Sequence, residues 1–179
     1  MVYGVNKRVD AQLVSGDATG ANLSGFLNAG NFTAHGYAAA DLGSSSQKLA
    51  LIRKIIADLW IAGYPADTIV LNPADWAQIE IDAMQSTDNA ARVSYTSEGI
   101  PMLWGIPVVP GIAMPADQVA VGAFRMAGTI HNREGVVVEL SDSDGNNFTT
   151  NLITVRSERR LALTVETPAA IIAGDLTPA

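Results

Sequence analysis

Between Ser46 and Gly63, apolar residues recur at three- and four-residue steps: Leu49, Ile52, Ile55, Ile56, Leu59 and Trp60. That spacing lays one stripe along an α-helix. Ser46 suits its N-cap, and Gly63 falls where a left-handed residue ends helices. Thr68-Ile69-Val70-Leu71 follows as a short β-branched and apolar run, the pattern of a buried strand. Asn72-Pro73 then opens a second helix reaching about Met84, with Asn72 as cap and Pro73 as first helical residue. Asp75 in its first turn suits the helix dipole, while Trp76 and Ile79, with Ala83 or Met84, supply the buried face.

The flanks read differently. Tyr3, Val5, Val9 and Leu13 fall near helical spacing, but no capping residue precedes Met1, so the chain reads as starting inside a helix, as a trimmed or processed chain does. From Ser15 to Gly43, six glycines punctuate small and polar residues. Gly16-Asp17-Ala18-Thr19-Gly20 is no phosphate cradle, because Ala21 stands where a P-loop needs Lys. It reads as a connection. Gln85 to Gly99 lacks apolar periodicity and is expected to be the most mobile internal stretch. Trp104 to Pro110 is a short apolar extended segment whose prolines restrict their neighbours, and Val119 to Phe124 reads as a strand. In the last third, Val136, Val138 and Leu140 alternate with Val137 and Glu139, and Asp142 to Asn147 makes a turn. Asn151 to Arg156 and Leu161 to Glu166 continue as strand-like text. A mixed middle followed by a β-hairpin system predicts an α+β fold.

Composition narrows the function. Charged residues are 16% of the 179, where a soluble domain carries about 25%. Hydrophobic residues reach 48% with only 6% aromatic, so the apolar character is aliphatic. A surface this poor in charge points to self-association. Eleven basic against eighteen acidic residues, net −7, argue against a protein that grips nucleic acid by its backbone. There are no cysteines, hence no disulfide, thiolate metal site or thiol catalysis. No apolar run approaches the roughly 18 residues of a membrane span.

Candidate chemistry is thin. Asp142-Ser143-Asp144-Gly145-Asn146 invites a calcium reading, but an EF-hand loop needs Gly sixth and Glu twelfth, and those positions hold Asn147 and Ile153. Turn formation explains the composition. His35 and His131 lie far apart in different kinds of segment, without zinc or triad context. Arg156, Arg159 and Arg160 flank Ser157 and Glu158 in the one dense charge cluster, which reads as ion pairs within or between subunits. Trp60, Trp76 and Trp104 sit on apolar faces, where core packing is the expectation. No catalytic set, metal site or cofactor motif emerges, and the chain reads as no enzyme.

Several segments, in order, carry a resemblance. They are Leu13-Val14-Ser15-Gly16-Asp17-Ala18-Thr19-Gly20, Leu71-Asn72-Pro73-Ala74-Asp75-Trp76, Leu103-Trp104-Gly105-Ile106-Pro107-Val108-Val109 and Arg133-Glu134-Gly135. Asn147-Phe148-Thr149-Thr150-Asn151, Arg156 through Leu163, and Pro168-Ala169-Ala170-Ile171-Ile172 complete them. The chain resembles the C-terminal half of tailed-bacteriophage major capsid proteins of the Hong Kong 97 type. The resemblance implies that residues 21–127 with 167–179 form an axial domain, and that 1–20 with 128–166 are a remnant of the peripheral domain. By this resemblance, the family's N-terminal arm, extended loop and most of its spine helix are expected to have no counterpart here. It also implies a structural subunit of an icosahedral phage or prophage capsid that assembles with copies of itself into pentamers and hexamers. Such a subunit would be made in the bacterial host cytoplasm and reside in the virion, with no sequence-specific nucleic-acid binding and no membrane. By itself, this chain is expected to fold but to close no shell.

Some family members cross-link through a Lys–Asn isopeptide bond assisted by Glu. By motif, Asn151 matches the acceptor and Glu158 the assisting residue. The donor Lys belongs to the extended loop, and Lys7, Lys48 and Lys54 lie in no matching segment, so a structural role is expected for both. Seven positions of straight strand would in any case hold Asn151 and Glu158 roughly 20 Å or more apart. The rival readings are an encapsulin-like nanocompartment shell, and a metal- or ligand-binding enzyme domain using Asp142, Asp144 and the arginines.

Overall fold

The computed structural model describes residues 2–42, 47–85 and 93–178. The helical stripe becomes α2 (Gln47–Ile61), with Leu49, Leu51, Ile52, Ile55, Ile56 and Leu59 buried. Trp60 departs from expectation. It is 60% exposed, because it lies about 100° around the helix from Leu59 and in the last turn. The N-cap assigned to Ser46 lies outside the described residues. Gly63 has φ +84°, the left-handed terminator the sequence implied.

The α2 stripe packs on a seven-stranded mixed sheet. Its strands are β1 (Thr33–Ala34), β2 (Thr68–Leu71), β3 (Val93–Tyr95), β4 (Pro101–Leu103), β5 (Ile106–Pro110), β6 (Gln118–Gly122) and β9 (Ile171–Asp175). The order is β1-β9-β6-β2-β5-β4-β3. Central β2 runs parallel to β5 and antiparallel to β6, and β6 takes β9 antiparallel on its other side. Ile69, Leu71, Val108, Val119, Val121 and Ile172 bring the sheet's side chains to the α2 core.

Three local readings are revised. Of the stretch expected to be mobile, residues 86–92 lie outside the described ones, while Val93–Tyr95 pairs antiparallel with β4. The apolar segment from Trp104 is the end of a tight hairpin: Trp104 at φ +51° and Gly105 at φ +82° form the turn between β4 and β5. Two consecutive positive φ values match the twist of a hairpin. The Arg53 guanidinium stands 5.9 Å from the Trp104 ring centroid, a cation–π contact that holds the turn against α2. The strand expected through Phe124 ends at Gly122, and Phe124–Ala127 forms a single helical turn, α4. Asp67 receives the Phe124 and Arg125 N–H groups, both at 3.0 Å, and so caps that turn.

Helix α3 (Pro73–Gln85) opens as the sequence implied. Asn72 Oδ1 accepts from the Ala74 N–H at 3.0 Å, and its Nδ2 donates to the Met114 carbonyl at 2.7 Å. Asp75 does more than face a helix dipole. It is buried, receives the Asp117 N–H at 2.7 Å and pairs with Lys48 of α2 at 3.3 Å. One carboxylate therefore ties two helices to the loop that enters β6.

The N-terminal pattern is α1 (Val2–Ser15), and the glycine-rich stretch after it is an ordered connection. Gly16 N–H donates to Gln12 O at 3.0 Å and Gly25 N–H to Gly16 O at 2.9 Å, so two backbone segments cross in direct contact. Asp17 Oδ1 accepts from the Thr19 N–H and from Asn22 Nδ2, which lowers its pKa and closes the small loop between them.

A separate two-stranded ribbon completes the fold: β7 (Gly128–Ser141) and β8 (Thr154–Val165), joined by a turn containing the short helix α5 (Asn147–Thr150). The sequence divided β8 into two strands, the first starting at Asn151. It is instead one strand from Thr154, and Asn151 stands outside it at φ +55°. The first half of β7, together with β1 and β9, carries no alternation that sequence reading picked out.

Candidate functional site

Both residues singled out for cross-linking chemistry belong to the ribbon. Its strands differ in length, and the pairing absorbs the difference in two register shifts, between Asn132 and Glu134 and between Glu134 and Val137. Such bulges re-aim side chains on the longer strand. Here they set Glu134 opposite Arg160, while Glu139 stands opposite Arg156.

Alternate residues of β8 share a face, so Arg156, Glu158 and Arg160 project together. They form a ladder of alternating charge. Arg156 pairs with Glu139 across the ribbon and with Glu158 at 3.7 Å; Arg160 pairs with Glu158 at 3.3 Å and with Glu134 at 3.6 Å. The bond to Glu139 raises the Arg156 pKa. Glu158 is thus the middle rung, its carboxylate held by two guanidinium groups. For Arg156 and Arg160 this is the ion-pair network expected of the arginine cluster, made within one chain; Arg159 takes no part in it. Its members are more than half exposed except Glu134 and Glu158, which keep about a third or more of their side chains in water, so each pair contributes only about 0–1 kcal/mol. Glu158→Gln is accordingly expected to shift stability by no more than about 1 kcal/mol. Urea unfolding at low and at high salt checks this, the difference shrinking as salt rises.

Asn151 is not brought to Glu158. It ends the α5 turn in left-handed conformation, its N–H donating to Asn147 O, and its side chain has no hydrogen-bond partner among the described residues. The lysines stand elsewhere: Lys48 on Asp75, Lys54 on the Asp41 carbonyl and over the Tyr37 ring, Lys7 on α1. Tyr37 itself donates to Asp58 at 2.6 Å, which holds the phenol pKa up at about 12.

The other candidates separate. His35 Nε2 lies 2.8 Å from the Asp175 carbonyl at the β1–β9 edge, whereas His131 sits in β7 opposite Ala162. Asp144 accepts from Thr154 Oγ1 at 3.2 Å inside the ribbon turn. Gly145 takes φ +54°, as its turn role required. Among the described residues, no three His, Asp or Glu side chains converge on a possible metal position.

What the structure displays prominently is apolar surface. At the far end of the ribbon Leu140, Phe148, Leu152 and Ile153 are exposed, Phe148 by 84%. Trp60, Ile61, Ile81 and Met84 present a second set on α2 and α3. Sequence periodicity placed Trp60 on the buried stripe and offered Ala83 or Met84 for the buried face of α3; Ala83 is the one buried, and Trp60 and Met84 stand outside. It gave Ile61, Ile81 and Phe148 no role, because it identifies the face that packs inward and says nothing of apolar residues on the other one.

A sheet core with an appended, apolar-tipped ribbon is an architecture with known relatives. The model of the phage capsid family matches residues 1–176. The chain belongs to the phage capsid family. Within it, the chain is 34% identical over 180 residues to the major capsid protein of Enterobacteria phage HK97, covering 97% of this chain and 44% of that protein. The chain thus spans less than half the length of this relative. Among solved structures, the capsid of a native GTA particle aligns with a TM-score of 0.62 at 20% identity, covering 99% of this chain and 62% of that one. A Mycobacterium phage Adephagia structure aligns with the same TM-score of 0.62 at 16% identity, covering 98% and 62%. The SrpI encapsulin of Synechococcus elongatus aligns at 0.58 with 11% identity, covering 97% and 61%. At such identities these structures establish the shared fold alone, which is the Hong Kong 97-like capsid fold expected from the sequence motifs.

Proposed function

We propose that the chain is a shell-forming part of a tailed-phage major capsid protein, assembling with copies of itself and catalysing no reaction. The observation that carries this is the 34% identity with the HK97 major capsid protein across nearly the whole chain. The exposed apolar residues at the ribbon tip and on α2 and α3 support it, since large apolar side chains displayed on a charge-poor protein suit contacts with other chains. In this reading, residues 21–127 with 167–179 are the axial unit and 1–20 with 128–166 the peripheral one. The seven-stranded sheet lies wholly within the first and the ribbon within the second, with α1 packed against β8. The net charge of −7 suits a wall that encloses DNA without gripping it. The reading places the protein in the virion.

Particles purified from the source and digested for mass spectrometry are expected to contain this chain's peptides among their most abundant species. Their absence from intact particles would refute the shell role. For the ribbon tip, Phe148→Ser with Leu152→Ser is expected to weaken concentration-dependent association in sedimentation velocity while leaving thermal unfolding unchanged, because both side chains are already exposed. Unaltered association would remove the tip from the contact surface.

For Asn151, the same reading assigns structure and not chemistry. An isopeptide needs a neutral Lys amine beside the amide and a proton acceptor, and Glu158 is occupied by two arginines. Denaturing gels of the purified chain are expected to show no covalent oligomer, and Asn151→Ala to cost less than about 2 kcal/mol. A linkage from Asn151 to Lys with loss of ammonia, seen by mass spectrometry, would overturn this.

A further inference from the structure

Behind the charge ladder, on the side facing α1, lies a cleft of about 300 Å³ bounded by α1, the 21–23 loop and β8. Val5, Arg8, Val9 and Gln12 reach it from one face of α1, and Ser157 and Arg159 from β8. Much of its polar capacity is already committed. Gln12 Oε1 accepts from the Leu23 N–H at 3.0 Å, and Asn22 Nδ2 donates to Asp17 at 2.8 Å. Glu158 also lines the cleft, but its charge is matched by Arg156 and Arg160.

Three groups stay uncommitted. Arg159 Nε and Ser157 Oγ are buried without any hydrogen-bond partner, and Arg8 forms no ion pair among the described residues. Buried donors without partners are rare, because the water they give up must be replaced. Two of these groups carry positive charge and all three can donate a hydrogen bond. A cation is repelled by such a set, and an apolar ligand leaves it unsatisfied. An oxyanion fits it, since a guanidinium presents several N–H groups in the fork that carboxylates and phosphates accept.

We infer that this cleft is an oxyanion site, with Arg159 and Ser157 as its buried donors and Arg8 closing it from α1. The shared chemistry is a single carboxylate- or phosphate-type group. Its source is either a free anion or a carboxylate of a second copy, since the chain carries eighteen acidic residues against eleven basic. The site is independent of the shell reading, because a free anion needs no assembly.

Arginine side-chain NMR of the intact chain tests it. Sodium phosphate is titrated at low ionic strength against sodium chloride of matched ionic strength. The Arg159 Nε–Hε cross-peak is expected to move saturably with phosphate and not with chloride. Arg8→Gln, at an exposed position that leaves folding intact, is expected to weaken the apparent phosphate affinity about five- to tenfold, the scale of losing one charge-assisted partner. Ser157→Ala should weaken it by a smaller factor. Where the anion is a carboxylate of a second copy, the same cross-peak moves on dilution without phosphate, and added phosphate shifts sedimentation toward monomer. An Arg159 cross-peak that moves in neither titration overturns the inference, as does an unchanged phosphate response in Arg8→Gln.

Discussion

Gly16→Ala is expected to destabilise the chain by about 4 kcal/mol or more, at the far end of single-substitution effects. A Cβ at Gly16 would lie 2.3 Å from the Leu23 carbonyl oxygen and 2.5 Å from that of Gln12. Both are backbone atoms, so no side chain can rotate aside. One belongs to the last turns of α1 and the other to the strand of loop that crosses it, so relief requires parting the two segments. Parting them would break the Gly25 N–H bond to Gly16 O and loosen the bed on which α1 meets β8. Gly4→Ala is the control, because Gly4 lies inside α1, which ends one residue before Gly16, with nothing within 4 Å of its Cβ position. That change is expected to be stabilising by roughly 0.5–1 kcal/mol, the helix propensity difference. Urea unfolding followed by circular dichroism measures both. A Gly16→Ala midpoint equal to that of the parent would mean that the crossing is not held at this distance.

Asp75→Ala is the second large effect, with an expected loss of about 3 kcal/mol. Removing the carboxylate leaves the Asp117 N–H and the Lys48 ammonium without their partner, in a place where neither is well hydrated. Asp75→Asn retains an oxygen for the Asp117 N–H and loses only the charge, so about half that cost is expected. The order Ala worse than Asn, read from chemical denaturation, distinguishes a buried hydrogen-bonded tie from a helix-dipole contribution. A dipole effect alone would be worth at most about 1 kcal/mol and would be nearly the same for both variants.

Asp75 also illustrates where sequence reading stops. Its place in the first turn of α3 was legible from Asn72-Pro73, because caps and first-turn acids are local chemistry within four residues. Its partners, Lys48 and Asp117, lie 27 and 42 positions away, and no spacing rule links them. Trp104 is similar: a hairpin turn is usually signalled by Asn-Gly, and a tryptophan at positive φ hides it until β4 is seen to pair with β5.

The ribbon divides the same way. Alternation identified the second half of β7, and the Asp-Gly turn was legible because only certain residues tolerate positive φ. The bulges that bring Glu134 onto Arg160, and with them the five-membered ladder through Glu158, follow from how strands of unequal length are paired. By itself, then, the sequence determined the main helices, the β2 strand, the charge-poor and aliphatic character, and the ordered motifs that mark the capsid family. Each of these depends on neighbours along the chain. Only the tertiary structure decided which carboxylates are tied down, which apolar residues stay outside, and which buried donors around Arg159 are left open. Those depend on surfaces that distant segments bring together, and a chain's local pattern does not encode which distant surface it will meet.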